Sequence, residues 1–382
     1  MTVFHSADQK LFADSVQRFL DDTYGADARR KAVDSPAGFQ SEHWSGLAGL
    51  GALGAAFPEA YGGSGGGAAE TAILMAACGR ACFAGPVLGS VVLAGGAVLL
   101  GGSEAQKQAL LPGLVEGKHH LAFAHVEPQA RYDLADVATK AEADGDGFRL
   151  SGRKSLVLYA EAADKLVVSA RTAGAQRDAG GITLFLVDPR RQGVSLQGYR
   201  TIDDHRAAEV MLERVRVDTA DVLGQPGQGH ALIEAAVERG IAALAAEAAA
   251  AMGWLHETTL AYLKTRKQFG STIGSFQALQ HRMVDSFTAC EMATSMARAA
   301  ARAIDAAPAP ERRRTLALVK AYVDNAARTV AHESVQLHGG VAMTDDLMVG
   351  RYVKRIAAIR RLLGDADHHT ATLVAAARAG MA

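Results

Sequence analysis

The chain has 382 residues, 49% of them apolar, which is enough for two or three domains with cores of their own. Forty basic residues face 41 acidic ones, so the net charge of −1 indicates no binding of nucleic acid or anionic membranes. No run of about 18 apolar residues predicts a transmembrane helix. Asp8 and Lys10 interrupt the segment in which a signal peptide would be apolar. Three cysteines are too few for a disulfide framework, so we expect a cytoplasmic protein.

The first 120 residues are predicted to be helical. Residues 6–9 (SADQ) have the spacing of a capping box, and apolar residues then recur at the helical period. Further helices are predicted near residues 42–50, 67–82, 88–101 and 103–116. The glycines between Pro58 and Ala68 do not form a dinucleotide-binding loop, because the third glycine of G-x-G-x-x-G falls on Ala68 and no strand precedes it.

From about residue 121 the apolar pattern changes to a period of two, which predicts strands. The predicted strands are LAFAHV (121–126), KAEAD (140–144), GFRLSGRKSLVLY (147–159), KLVVSAR (165–171), GITLFLVD (181–188) and AEVMLERVRV (208–217). Residues 144–147 (DGDG) predict a hairpin turn. They do not predict an EF-hand, because no distal ligands follow at the required spacing. The turn signal at Pro226 ends this part of the chain.

Residues 230–380 are predicted to form a bundle of four or five long helices. The longest helix is predicted to close at Gly270, whereas Asn325 and residues 338–340 (HGG) are predicted to interrupt or end later helices. The fold class is therefore α+β. We predict an N-terminal helical domain (1–120), a central antiparallel β-domain (121–226) and a C-terminal domain resembling a four-helix bundle (227–382).

Several local motifs share one pattern with known proteins. The two strongest are RKQFG (266–270), followed by Gln277, and QLHGG (336–340), followed by Asp345 and Arg351. The supporting motifs are VEP (126–128), GRK (152–154) and Glu238-Arg239 on the longest helix. Together with the helix–strand–helix order, these motifs resemble the acyl-CoA dehydrogenase family over essentially the whole chain.

The resemblance implies that the protein binds FAD. A guanidinium group suits a pyrophosphate, and glycines allow a close backbone approach to a ligand. By resemblance, Arg266, Phe269 and Gln277 contact the FAD of a neighbouring subunit, and Gln336, Gly339 and Gly340 hold its adenosine end. Phe123, Val126, Leu158, Asp365 and Asp367 are the other predicted cofactor contacts. Taken singly, Arg266 could be a surface charge and residues 339–340 an ordinary helix stop.

The family removes an α-proton from an acyl thioester with a carboxylate, while the β-hydrogen leaves as hydride to flavin N5. In most members this glutamate precedes a glycine in the loop before the last helix. Leu363 stands there in this chain, and leucine cannot take a proton. The isovaleryl-CoA and long-chain types carry the base on the long helix before an arginine, which corresponds to Glu238 and Arg239. The alternatives are that Glu238 is a paired surface residue, or that Asp365 or Asp367 is the base.

The predicted flavin edge departs from the family pattern. Val126 and Leu158 replace threonines, Leu156 replaces a tryptophan, and residues 129–132 (QARY) replace a Gly-Ala-Gly-Ser run. The chain thus also resembles the smaller subunit of a two-component dehydrogenase, in which one chain completes the FAD site of another. A flavin monooxygenase or oxidase is the other alternative. The partners implied by the resemblance are an acyl-CoA substrate, an electron-transfer flavoprotein, and a second copy or a homologous larger subunit.

Two further clusters have ordinary structural interpretations. Residues 365–369 (DADHH) have the composition of a metal site, but no further ligand run accompanies them, so we predict a polar helix start and no metal. Cys78 and Cys82 lie one helical turn apart without the Cys-x-x-Cys spacing, so we expect buried apolar residues and no redox pair.

Overall fold

The computed structural model describes residues 6–344 and 346–380, so the motif residue Asp345 lies outside the described residues. The first part of the chain is helical, as predicted, and Ser6 caps the first helix by accepting from the Gln9 N–H at 3.0 Å. Its elements are α1 (Ala7–Thr23), α2 (Ala26–Asp34), α3 (Ser41–Gly49), α4 (Ala68–Ala81), a π-helix (Val87–Gly95), α5 (Gly96–Gly101) and α6 (Glu104–Val115).

The middle of the chain forms strands. These are β1 (Leu121–Ala124), β2 (Lys140–Asp144), β3 (Gly147–Leu158), β4 (Lys165–Arg171), β5 (Ile182–Val187), β6 (Val194–Arg200), β7 (Arg206–Asp218) and β8 (Val222–Leu223). They form one sheet in the order β6-β7-β3-β2-β4-β5-β8, and β1 pairs in parallel with β4. The predicted hairpin is confirmed, since Asp144 pairs with Gly147 across a two-residue turn in which Gly145 has a φ of +64°.

The last part of the chain is again helical. Its elements are α7 (Gly229–Thr265), the short strands β9 (Lys267–Gln268) and β10 (Ser271–Thr272), α8 (Gln277–Ala306), α9 (Ala309–His338), α10 (Val349–Ile359) and α11 (Ala366–Ala379). The predicted fold class is confirmed, with helical parts on either side of a mostly antiparallel sheet in the sequence. No helix among the described residues is long and apolar enough to cross a membrane.

Packing divides the chain into two compact units. The first consists of Met1–Arg29, Ala68–Phe83 and Ile241–Ala382, and the second of Arg30–Gly67 and Ala84–Gly240. The first unit contains α1, α4 and the helices after Gly240, and the second contains the sheet. The three-domain division at residues 120/121 and 226/227 stays a prediction.

Three local predictions were wrong. Asn325 lies inside the unbroken helix α9, where its side chain donates to the Ala321 carbonyl at 3.0 Å and so does not compete with the helix. The longest helix ends at Thr265, and Gly270 lies in the turn between β9 and β10. The segment predicted as one helix over 88–101 begins as a π-helix, a backbone variant that the apolar period alone does not distinguish. The elements α2, β6, β8, β9 and β10 were not predicted.

Candidate active site

In the second unit, the residues predicted to meet the flavin lie on β1, just after it, and at the end of β3. Phe123 is buried on β1 and stacks on His125, with ring centroids 4.6 Å apart. Val126 follows β1, and its carbonyl accepts from the Ser155 N–H at 2.9 Å. This bond ties the end of β1 to the end of β3, which carries Leu158. The structure therefore brings Phe123, Val126 and Leu158 into one region.

A buried ion pair between Lys154 and Glu127 lies next in sequence to Ser155 and Val126. Lys154 Nζ donates to Glu127 Oε1 at 2.5 Å and to the Ser169 hydroxyl at 2.9 Å. The Glu127 carboxylate also accepts from the backbone N–H groups of Ala138 and Thr139, at 2.8 and 3.1 Å. Burial lowers the pKa of Lys154 to about 8, an effect that the carboxylate only partly offsets. The VEP and GRK motifs thus build an ion pair that fixes the loop after Val126.

The π-helix and α5 run past both groups of predicted residues in the second unit. A Cβ atom on Gly89 would lie 3.1 Å from the Cβ of Leu158, so the π-helix touches the predicted flavin edge. A Cβ atom on Gly96 would lie 3.8 Å from Cδ of Arg239. The π-helix is entirely buried, and π-helices are frequent at functional sites.

Glu238 lies on α7 in a stretch that is buried on nearly every side. It is only 7% exposed, so it is not a solvated surface glutamate. Its neighbour Arg239 is half-buried beside Gly96. A buried carboxylate on an alanine-rich helix is a feature of catalytic sites more than of ordinary helix surfaces.

Strained backbone occurs at four of the positions that differ from the family pattern or adjoin them. Arg131, Leu156, Tyr159 and Leu363 have φ values of +49°, +51°, +53° and +58°. Bulky residues rarely adopt this left-handed conformation, and such residues cluster at functional sites. Arg131 occupies the place of a glycine in the Gly-Ala-Gly-Ser run, and glycine is the residue that adopts this conformation most easily.

In the first unit, the two strongest motifs meet at one end of the bundle. Tyr262 near the end of α7 stacks on His338 at the end of α9, with ring centroids 4.5 Å apart. A small apolar cluster of Leu263, Met283 and Leu337 packs beneath them. RKQFG and QLHGG are therefore neighbours in space, although about 65 residues separate them in the sequence.

The predicted FAD contacts at this end are exposed. Arg266, Gln277, Gln336, Gly339 and Gly340 are all accessible, and Phe269 is 91% exposed at the tip of the β9–β10 hairpin. Apart from the adjoining residues, no heavy atom of residues 6–344 and 346–380 lies within 4 Å of where a Cβ atom would stand on Gly339 or Gly340, so the backbone there is open to a ligand. An exposed guanidinium group beside an open glycine backbone fits a pyrophosphate-bearing cofactor.

Asp365 is the N-cap residue of helix α11, and its carboxylate already accepts hydrogen bonds within the chain. Its side chain caps the helix by accepting from the His368 N–H at 3.0 Å, and it also accepts from Arg361 at 2.9 Å. Asp367 is exposed in the first turn. The interpretation of DADHH as a polar helix start is confirmed. Among residues 6–344 and 346–380, no group of three or more His, Cys, Asp or Glu side chains could hold a metal ion.

The loop that carries Leu363 is held by buried polar groups. Nε2 of His369 donates to the Leu363 carbonyl at 3.0 Å, and Nζ of Lys320 donates to the Ile359 carbonyl at 3.2 Å. Lys320 also pairs with Asp324 at 2.7 Å, and both side chains are 1% exposed. Burial lowers the pKa of His369 to about 4, because the imidazolium form would lose its hydration.

This pKa predicts acid sensitivity. The unfolded imidazole has a pKa near 6.5, so between about pH 6.5 and 4 the unfolded chain binds a proton that the folded chain does not. The stabilisation is fully present above this window and declines as the pH falls through it. We expect His369→Gln to reduce the loss of unfolding free energy between about pH 7.5 and pH 5 by about 2 kcal/mol, measured by urea denaturation. An equal loss in the variant and the wild type would contradict the prediction.

Cys78 on α4 and Cys82, just after the end of α4, are buried, as expected. Burial raises the pKa of Cys78 and of Cys82, which keeps both thiols protonated and unreactive. His125 was not predicted as a site residue, yet its Nδ1 is buried without a hydrogen-bond partner in the described part of the chain. The buried side chains of Asp203 and His205, which follow β6, were not predicted as site residues either. The run Asp203-Asp204-His205 was the available signal.

The fold, with helical parts before and after a mostly antiparallel sheet in the sequence, is that of a class of flavoprotein oxidoreductases. Three family models match the chain in order: the N-terminal domain of acyl-CoA dehydrogenases over residues 6–118, their middle domain over 122–215 and their C-terminal domain over 227–377. The chain belongs to the acyl-CoA dehydrogenase family, which acts on CH–CH groups with FAD as its cofactor.

Individual relatives are similar over most of their length. A 3-(aryl)acrylate reductase of Clostridium sporogenes is 30% identical over 332 residues, covering 86% of this chain and 87% of the relative. The mitochondrial isovaleryl-CoA dehydrogenase of Pongo abelii is 30% identical over 365 residues, covering 91% and 84%. A chain of the ChsE4–ChsE5 complex from Mycobacterium tuberculosis superposes with a TM-score of 0.87 at 26% identity, covering 98% of both chains.

Proposed function

We propose that this protein is an FAD-dependent acyl-CoA dehydrogenase in which Glu238 removes the α-proton of the acyl thioester. The burial of Glu238 beside Arg239 is the observation that carries the proposal. Isovaleryl-CoA dehydrogenase, which by resemblance places its base on the same helix, is among the 30% identical relatives. Leu363 occupies the other position known for the base in this family, and it has no basic group.

The chain's own residues fit FAD at two places. Arg266, Phe269, Gln277, Gln336 and the open backbone of residues 339–340 would hold the pyrophosphate and adenosine parts. Their exposure supports the proposal that they serve the FAD of a neighbouring subunit, as the resemblance implies. Asp367 and the helix cap Asp365 would lie on the same cofactor.

The flavin ring would lie at the edge formed by Phe123, Val126 and Leu158. These side chains have no hydroxyl groups, so backbone N–H and C=O groups would provide the polar contacts there.

The chemistry divides between the cofactor and the chain. When bound, FAD supplies the acceptor for the β-hydrogen, which leaves as hydride to flavin N5. Glu238 accepts the α-proton at a carboxylate oxygen, and its burial on α7 keeps bulk water away from that oxygen. Arg239 provides a positive charge next to that carboxylate. Electrons would then pass to an electron-transfer flavoprotein.

We propose further that the chain works as one subunit of a heteromeric enzyme. Three apolar residues replace polar or aromatic flavin contacts, at Val126, Leu156 and Leu158. The ChsE4–ChsE5 complex supports this proposal, because a chain with this fold occurs there in a complex. The segments YDLADVATKA and LLGDADHH resemble the small subunit of pimeloyl-CoA dehydrogenase. Our hypothesis is that this chain is a subunit of that kind. The buried free cysteines support a cytoplasmic location.

The test is anaerobic reduction of bound flavin by acyl-CoA thioesters of several lengths. The chain is used alone and together with a homologous larger subunit. We expect bleaching by straight-chain thioesters and none by 2,2-dimethylpropanoyl-CoA, which has no α-hydrogen. Flavin that stays oxidised with every thioester in both preparations would overturn the proposal. Reduction by a reduced nicotinamide in place of the thioester would favour the monooxygenase alternative.

A further inference from the structure

A chain of buried polar side chains lies beside the proposed flavin edge and has no part in the chemistry above. Tyr159 follows Leu158 at the end of β3, and its hydroxyl lies 3.1 Å from Nδ1 of His205. Nε2 of His205 lies 3.9 Å from Oδ2 of Asp203. The Thr201 hydroxyl donates to Oδ1 of Asp203 at 2.5 Å. We call this chain the Tyr159–His205–Asp203 relay; its three named members are 3%, 7% and 2% exposed.

The direction of the hydrogen bond between Tyr159 and His205 follows from the nearby charge of Asp203, which lies beyond hydrogen-bond distance of the imidazole. The Asp203 carboxylate favours the tautomer of His205 that carries its proton on Nε2. Nδ1 is then an acceptor, so the Tyr159 hydroxyl donates to it. The turn that carries Asp203 and His205 is itself closed, because the Thr201 N–H donates to the His205 carbonyl at 2.9 Å. The relay therefore holds the Tyr159 side chain in one orientation.

Tyr159 needs such a hold because its backbone is strained. Its φ of +53° is a left-handed conformation that bulky residues rarely adopt. Its N–H donates to the Arg206 carbonyl on β7 at 3.0 Å, and its ring meets Phe39 edge-on at 5.9 Å. Without the hydroxyl contact, relaxation of the backbone to an extended conformation would release this strain and lower the free energy.

The conformation of Tyr159 decides where the peptide groups of Leu158 point. In an antiparallel ladder, successive residues direct their N–H and C=O groups to opposite sides. The Tyr159 N–H points to β7, so the N–H and C=O of Leu158 point to the other edge, where Val126 accepts from Ser155. A Cβ atom on Gly89 would lie 3.3 Å from the Leu158 carbonyl oxygen, so the π-helix lies against this carbonyl and leaves the N–H of Leu158 as the group that could meet a ligand.

We infer that the Tyr159–His205–Asp203 relay positions the Leu158 N–H as a polar contact for the flavin ring, in place of the absent threonine hydroxyls. Its members are positioning residues, since they act through the backbone of Leu158. The inference rests on the proposed function, which assigns Leu158 to the flavin edge.

The test compares two substitutions of Tyr159 that separate the relay from simple packing. Tyr159→Phe keeps the ring but removes the hydroxyl, so the strained residue loses its hydrogen bond to His205. Tyr159→Asn loses both ring and hydroxyl, but asparagine adopts the left-handed conformation readily. We expect FAD to bind about tenfold more weakly to the phenylalanine variant and within about threefold of wild type to the asparagine variant. Stability should follow the opposite order, because asparagine loses the packing against Phe39.

Two readouts are measured on the full chain, with the larger subunit present if FAD requires it. FAD affinity comes from titration of the apoprotein, and exchange of the backbone amides of residues 157–160 reports the local conformation. His205→Leu should match Tyr159→Phe in both, and the double variant should be no worse than either single variant. Unchanged FAD affinity in Tyr159→Phe, or weaker binding in Tyr159→Asn than in Tyr159→Phe, would overturn the inference.

The exchange measurement distinguishes failure of this inference from failure of the proposed function. If the wild type holds no FAD in any preparation, the proposed function fails, while faster amide exchange in Tyr159→Phe than in Tyr159→Asn would still support the relay. If FAD binds and exchange is the same in all variants, the relay fails and the proposed function is unaffected.

Discussion

Replacement of Glu238 by glutamine is expected to slow the reduction of bound flavin by acyl-CoA about a hundredfold or more. Glutamine keeps the size and hydrogen-bonding reach of the side chain but cannot accept the α-proton. Folding and FAD content should persist, because the change removes a buried charge without creating a cavity. The measurement is the rate of anaerobic bleaching in a stopped-flow instrument at saturating substrate.

Glu234 provides the matched control on the same helix. It lies one turn before Glu238 and is partly exposed, with Oε2 3.6 Å from Nδ1 of His230. Glu234→Gln should bleach at the wild-type rate, because this carboxylate belongs to a local helix pair. If Glu238→Gln also bleaches at the wild-type rate, Glu238 is not the base, and Asp365, Asp367 or a carboxylate of the partner chain takes its place.

Replacement of Lys154 by methionine is expected to lower the free energy of unfolding by about 3–5 kcal/mol. The change leaves the Glu127 carboxylate buried, with its backbone donors but without its cation. Small domains have total stabilities of about 5–15 kcal/mol, so this loss is a large fraction of the whole. Urea denaturation followed by circular dichroism measures it.

Two companion variants test the cause of this loss. Glu127→Gln combined with Lys154→Met removes both charges and should recover at least about 1 kcal/mol relative to Lys154→Met alone. Arg153, the next cation on β3, forms a half-exposed pair with Glu209 at 3.0 Å. Arg153→Met should therefore cost less than about 1 kcal/mol. A similar cost for Arg153→Met and Lys154→Met would rule out buried charge as the explanation.

The residues of the sequence motifs have two different structural roles. RKQFG and QLHGG predicted a cofactor site, and the residues in them that were predicted to contact FAD are exposed. VEP and GRK were supporting motifs of the same resemblance, yet Glu127 and Lys154 form a buried ion pair within the sheet region. A motif in the sequence does not tell a binding residue from a buried partner, because both need a defined side chain at a defined position.

The sequence by itself determined the order of helices and strands, the hairpin at residues 144–147 and the membership of a family. These features depend on local periodicity, turn chemistry and motif spacing, all of which are written along the chain. It also identified Leu363 as unable to act as a base, since that follows from the side chain alone.

Only the tertiary structure decided which polar residues are buried and which backbone is strained. The burial of Glu238, the pairing of Glu127 with Lys154, and the relay from Tyr159 to Asp203 all depend on contacts between residues distant in sequence. The π-helix at Val87–Gly95 depends on its surroundings in the same way, because the apolar period of a π-helix differs too little from that of an α-helix. Desolvation and strain are properties of the packed chain, and a linear sequence contains neither.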